Sequence, residues 1–524
     1  MSSPSYPAVN PDTRPDSRPD TRADTPASSP SSAHAALTDL WRAAGLPAEP
    51  LAWADLPGEA AVLPSSFAVA TAAQASLGAA ALAAATLWQL RSGQAQQVTV
   101  DRVNAALDFT GYFALDGVVP DPWDKLSGLY ACGADTGAPG WVRLHANFAH
   151  HRDGALRLLG LPTGPDTARE AVTQALRGWS DQAFEQAAAD AGLVVAAARS
   201  FAQWDAHPQG RALAGQPVVH ITPIPPAAGQ QPAAPLPWPN PGGTATATAT
   251  ATTTAASPRP LDGLRVLDLT RILAGPVAGR FLAAYGADVM LVNGPHLPNI
   301  VSIADTSRGK LSTLIDLREP AGQADLQALL DSAQVFVQGY RPGALAARGW
   351  TAEALAARRP GIVVASLSAY GQHQPPGPWD DRRGFDSLVQ TSTGFNLAEA
   401  AAAGRGEPKA LPMQVLDYAA GHLLAFGIQA ALWRQATQGG SWQVQVSLAG
   451  VGLWLRSLGR MDNGLAAIRP DITPWLQDSA CGFGPGGQAT LRAVRHAAQL
   501  SATPARWVRP SMPPGSHAPV WPLA

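Results

Sequence analysis

Cysteine is scarce: two occur among 524 residues, Cys132 and Cys481, far apart and outside any C-x-x-C or Cys/His ligand spacing. That excludes a disulfide framework and a structural zinc site, and it suits a reducing, cytoplasmic compartment. An excess of positive charge is also missing. Lys+Arg 37 against Asp+Glu 39 give a formal net charge of −2, which leaves no electrostatic footprint for nucleic acid or anionic lipid. The start lacks the apolar segment of a signal peptide or anchor: residues 1–35 repeat Asp-(Thr/Ser)-Arg and proline, and they read as a disordered tail. The one stretch that imitates a membrane span, Phe67 to Trp88, is mostly alanine with Gln74, Ser76 and threonine. It reads as a buried helix, so no membrane partner is expected.

What is abundant is glycine (50) and proline (48). Much of the proline lies in 222–260, with PIPP, PAAPLPWPNPGG and the alternating tract from Thr244 to Thr254. Such a composition need not fold and reads as a linker. It separates an N-terminal part, 36–221, from a C-terminal part, 261–524. The C-terminal part alternates apolar runs with helical patterns, beginning with Leu264–Leu269, Pro276–Tyr285 and Asp288–Val292. That alternation predicts an α/β fold, a doubly wound parallel sheet covered on both faces, with a smaller α+β domain beside it.

The two parts echo each other. Leu63-Pro64 precedes an alanine-rich run to Leu87-Trp88 and then Val98-Thr-Val100, while Leu411-Pro412 precedes a similar run to Leu432-Trp433 and then Val444-Gln-Val446. Chance similarity of alanine-rich helices and duplication both account for the run itself; the matching flanks favour duplication.

A glycine turn after the first C-terminal strand invites a dinucleotide reading, but it runs Ala274-Gly-Pro-Val-Ala-Gly279, which is not G-x-G-x-x-G. Pro276 removes a backbone donor where a pyrophosphate needs one, and Asn293 stands where a ribose-binding acid belongs. A plain NAD-dependent oxidoreductase is therefore not expected.

Pro260-Leu-Asp-Gly-Leu-Arg-Val-Leu-Asp-Leu-Thr-Arg-Ile-Leu-Ala-Gly-Pro276, Tyr285-Gly-Ala-Asp-Val289, Arg308-Gly-Lys310, Tyr340-Arg-Pro-Gly343 and Ser368-Ala-Tyr-Gly371 resemble, in order, the signatures of class III CoA transferases. This CaiB/BaiF type includes formyl-CoA transferase and alpha-methylacyl-CoA racemase. The N-terminal part resembles the family's later half, so the order of halves is altered, and the two parts are expected to complement each other as one transferase-like unit. The resemblance implies an interlaced homodimer, no permanently bound cofactor and no metal, with coenzyme A entering as substrate.

The resemblance assigns the nucleophile to Asp417 in Pro412-Met-Gln-Val-Leu-Asp-Tyr-Ala-Ala-Gly-His422; an Asp N-cap accounts for the same position from the sequence alone. It implies CoA contacts from Lys310, Arg341, Arg348 and Arg383, since Arg suits bidentate phosphate contact. Solvated surface charge explains each of them equally well. Ala347 stands where formyl-CoA transferase has an arginine. Phe385, before Asp386, stands where the racemases carry their histidine, so transfer is expected over racemisation. His422 is not expected to replace that histidine. Gly133, Gly137 and Gly140 occupy the place of a glycine-rich active-site loop, although an ordinary turn describes them better. His145, His150 and His151 lack partners at ligand spacing and read as core or surface histidines.

The expected function is a CoA transferase moving CoA between an acyl-CoA and a free carboxylic acid. The alternative is a catalytically weakened family member that binds acyl-CoA or a protein partner, with acyl-CoA racemase behind both.

Overall fold

Runs of Val, Leu and Ile separated by alanine-rich segments build the centre of the computed structural model, which describes residues 30–236, 258–371 and 376–522. In the N-terminal part, helix α1 (Val69–Ser92) is followed by strand β1 (Val98–Val100) and helix α2 (Arg102–Asp108). Strands β2 (Gly128–Cys132), β3 (Gly140–Leu144) and β4 (Val195–Ala197) form an antiparallel sheet, and β5 (Val219–Ile224) ends the part. The C-terminal part contributes β6 (Arg265–Leu269), helix α3 (Ala274–Ala284), β7 (Asp288–Asn293), β8 (Leu311–Leu314), β9 (Val335–Gln338) and β10 (Val363–Ser368). Helix α4 (Asp386–Ser392), helix α5 (Val415–Gln438), β11 (Ser441–Ser447) and β12 (Ala498–Leu500) follow.

The main sheet has seven strands in the order β8-β7-β6-β9-β10-β11-β5. The first six are parallel. Both faces are covered, which is why Val266 to Leu269 are all buried, Asp268 among them with Lys310 as its partner. This is the expected α/β doubly wound sheet. Its order reverses between β6 and β9, so the loops leaving their carboxyl ends diverge and open a crevice there. The smaller α+β unit around β2, β3 and β4 has its own core, including Leu126, Tyr130, Val142 and Phe184.

The seventh strand comes from the other part of the chain. β5 runs antiparallel to β11, with Val219 opposite Val446 and Ile224 opposite Ser441. β12 returns the exchange by pairing antiparallel with β1. Helices α1 and α5, 24 residues each, lie in one shared core, where Gln429 Nε2 donates to Ala80 O at 3.0 Å. Both are long and apolar enough to cross a membrane by length and composition, yet both are buried in the protein. Alanine on every side suits α1 to that position, because a helix enclosed all round has no polar face to keep.

Two boundaries differ from those read in the sequence. A helix already begins at Ala33, inside the stretch 1–35 read as a disordered tail; residues 1–29 lie outside the described residues. Thr222 to Ile224 were expected to open the linker but complete β5, since their backbone groups pair with β11. Beyond them, Ala233 O accepts from Gly440 N at 2.7 Å and Ala234 O from Gln435 Nε2 at 3.3 Å, so the chain at these two residues packs on the end of α5. The Thr244–Thr254 tract lies outside the described residues.

Candidate active site

Helix α5 starts in the crevice with an N-terminus that its own sequence does not cap: Gln414 makes no side-chain capping bond. The cap comes from α4. Asp386 Oδ2 accepts from the backbone N–H of Leu416 at 2.7 Å and of Asp417 at 3.0 Å, satisfying two orphan donors. Gln390 Nε2 holds the other carboxylate oxygen of Asp386 at 2.5 Å, and Gln390 Oε1 accepts from Leu411 N at 3.1 Å. Asp417 is therefore relieved of the cap. Its carboxylate accepts no hydrogen bond from any described residue. The third residue of α1, at the matching place in the echoed helix, is Thr71, whose Oγ1 accepts from Arg102 Nη2 at 3.0 Å.

Two cavities meet at Asp417. The first, about 500 Å³, opens between the carboxyl ends of β6 and β9 and is lined by Arg271, Tyr340, Arg341, Arg382 and Arg383. The second, about 260 Å³, is walled by Tyr112, Phe113, Trp123 and Ile300 with Asp386 and His145. Asp417, Phe385, Ile272 and Leu273 belong to both linings. The Phe385 ring stacks on His145 with centroids 4.0 Å apart and planes at 14°.

Burial sets the electrostatics. Asp417 is raised well above the ordinary carboxylate range by burial and by the neighbouring Asp386 charge. Asp386 is pushed up to about 6 by burial, against the opposing pull of the Asp417 and Leu416 N–H groups, Gln390 and Arg143. The pair thus resists carrying two negative charges, and Asp386, which holds the donors, keeps the single charge more easily. Burial pushes His145 and His151 down to about 3, so both are neutral. Among the described residues no cluster of His, Cys, Asp and Glu fits a metal ion.

The cations expected at CoA divide. Arg341 and Arg383 line the larger cavity. Lys310 does not: it is fully buried, and its Nζ donates to Asp268 Oδ2 and Pro276 O, both at 2.8 Å. An ammonium so enclosed needs its carboxylate partner and serves the packing of α3 on β6. Arg348 lies outside both linings, where Nη1 donates to Leu317 O at 3.3 Å. Arg271 and Arg382 line the larger cavity as well. Arg271 stands inside the Thr-Arg-Ile motif and Arg382 beside Arg383, so both were visible in the sequence without being singled out. Gly133 and Gly137, at positive φ, belong to the tight β2–β3 turn and line neither cavity. His422 is buried against Asp108, apart from both cavities.

Residues 261–467 match the sequence model of CoA-transferase family III. Over these residues the chain is similar to that family. Among curated relatives, the chain is 33% identical over 232 residues to the probable fatty acyl-CoA transferase Rv3272 of Mycobacterium tuberculosis, covering 41% of this chain and 58% of that protein. It is 32% identical over 256 residues to succinate–glutarate CoA-transferase of Agrobacterium fabrum, covering 43% and 62%. With formyl-CoA:oxalate CoA-transferase of Rhodopseudomonas palustris it shares 30% over 203 residues, covering 36% and 46%. The chain thus spans about half the length of these relatives.

Proposed function

We propose that the protein is a CoA transferase that moves CoA from an acyl-CoA to a free carboxylic acid, with Asp417 as nucleophile. The supporting observation is a carboxyl group, free of hydrogen bonds to described residues, in the wall shared by an arginine-lined cavity and an apolar one. Arg341 and Arg383, with Arg271 and Arg382, take the phosphates of CoA. An Asp417 carboxylate oxygen attacks the thioester carbonyl carbon, the C–S bond breaks, and CoA leaves as thiolate. The thiolate attacks the aspartyl carbonyl of the anhydride, giving an aspartyl thioester and releasing the first acid as carboxylate. The acceptor carboxylate attacks that thioester, expelling thiolate and forming a second anhydride. The thiolate then takes the acceptor acyl group and regenerates the Asp417 carboxylate. Phe385, with no proton to give or take, favours transfer over racemisation.

Incubating the protein with acyl-CoA donors and isotopically labelled acceptor acids should move label into the CoA ester pool. Binding of donors without exchange across the panel would instead favour the weakened, acyl-CoA-binding alternative.

The nucleophile must be ionised, which ties rate to pH. Asp386→Asn removes the like charge beside Asp417 and keeps an oxygen for the α5 N–H groups. Asp417 then ionises more easily, and the rising limb of kcat/KM moves to lower pH by about one unit. A pH–rate profile of wild type and variant checks this; an unmoved limb contradicts the pairing.

A further inference from the structure

We infer that the acyl group taken at Asp417 is apolar and too large for the smaller cavity, a medium-chain or arylalkyl group whose far end rests on an exposed apolar rim. The inference rests on the transferase reading above and adds the substrate class. The smaller cavity, about 260 Å³, is far roomier than a one- or two-carbon acyl group fills. Its walls, with Tyr112, Phe113, Trp123 and Phe385, are aromatic. The carboxylates facing it are Asp386 and Asp417, and its cation is Arg469, which is exposed. An acyl group ending in a second carboxylate would meet like charge at the inner end and a solvent-screened arginine at the outer one.

The rim points the same way. Among the described residues nine large apolar side chains are exposed, and five of them either line this cavity or adjoin its lining residues in the chain. Val119 and Trp123 line it; Val118, Val301 and Ile468 are chain neighbours of lining residues, with Val118 at 69% and Ile468 at 87% exposure. Apolar surface held in water forgoes hydrophobic stabilisation, so a concentration of it marks a place that a ligand covers.

The Val118 segment is built to stay outward. Leu115 and Val118 exchange backbone hydrogen bonds at 2.9 Å in both directions. Asp116, at φ 47°, donates its N–H to Thr490 O at 2.9 Å and accepts Thr490 N at Oδ1 at 2.8 Å. Val119 thus keeps its place in the cavity wall, and Val118 beside it stays 69% exposed. This loop and Trp123 lie in the N-terminal part, outside the family III match at 261–467, so the part of the chain that carries no nucleophile contributes to the substrate class.

The test is the rate of Asp417 acylation, read by hydroxylamine trapping, with acetyl-, decanoyl-, phenylacetyl- and glutaryl-CoA. The expected result is kcat/KM at least about tenfold higher for decanoyl- than for acetyl- or glutaryl-CoA, with phenylacetyl-CoA between. In a Val118→Asp/Ile468→Asp variant, whose changed side chains both face water, the decanoyl-to-acetyl ratio should fall by about fivefold or more. Preference for glutaryl-CoA, equal use of acetyl- and decanoyl-CoA, or an unchanged ratio in the variant overturns the substrate class and leaves the transferase reading standing. Absence of Asp417 labelling by every donor overturns both.

Discussion

Asp417→Asn is expected to abolish CoA exchange, lowering kcat by about three orders of magnitude or more, while the protein stays folded. The amide oxygen cannot form the anhydride, and neither cavity wall changes in size. The fold should be indifferent because Asp386, not Asp417, accepts the N–H groups at the start of α5. Charge argues for a gain. Asp417 has its carboxyl raised above the ordinary range by burial and by Asp386; an unfolded chain would ionise it at lower pH. Stability is therefore lost as pH rises through the unfolded value, and a neutral side chain avoids that loss. The variant's unfolding temperature at neutral pH should equal or exceed that of wild type, as read by calorimetry. An Asn variant with full activity would remove Asp417 from the chemistry.

Arg280→Met is expected to cost about 3–5 kcal/mol of stability at neutral pH. The arginine is buried in α3 and reaches across the seam between the two parts. It donates to both carboxylate oxygens of Asp108 at the end of α2, at 3.0 and 3.2 Å, and to Asp305 in its own part. Burial alone would push Asp108 up, yet Arg280, with His422, holds it below the usual carboxylate range. Methionine fills much the same space but leaves two buried carboxylates without their shared cation. Acid should soften the loss, because protonation discharges those groups, and adding Asp108→Asn should recover part of it. Urea unfolding of the single and double variants near neutral and mildly acidic pH measures this. A loss below about 1 kcal/mol would mean that the charge cluster does not tie the two parts together.

The fold was legible where local pattern and tertiary role agree. Strand runs such as Arg265–Leu269 and Val363–Ser368 are apolar because the sheet is covered on both faces, and the echo between α1 and α5 survives as two 24-residue helices in one core. The position of Asp417 was readable from its motif. Its freedom was not, since the residue that caps α5 sits 31 positions earlier. Lys310 misled for a related reason: its partner Asp268 is 42 residues away, and a lysine in a motif looks the same whether it faces phosphate or a buried carboxylate. The apolar cavity could not be foreseen at all. Tyr112, Trp123 and His145 come from the N-terminal part and meet Phe385 and Asp417 through tertiary packing alone. Composition misjudged 222–260 because proline-rich chain can still pair at a sheet edge, as β5 does.

The most direct test of the central claim is chemical trapping of the enzyme during turnover. Wild-type protein incubated with decanoyl-CoA and hydroxylamine, digested and mapped by mass spectrometry, should show one modified peptide with the modification on Asp417, absent when the thioester is omitted and absent from Asp417→Asn. Modification of any other carboxylate in its place, or turnover with Asp417 unmodified, would contradict the account.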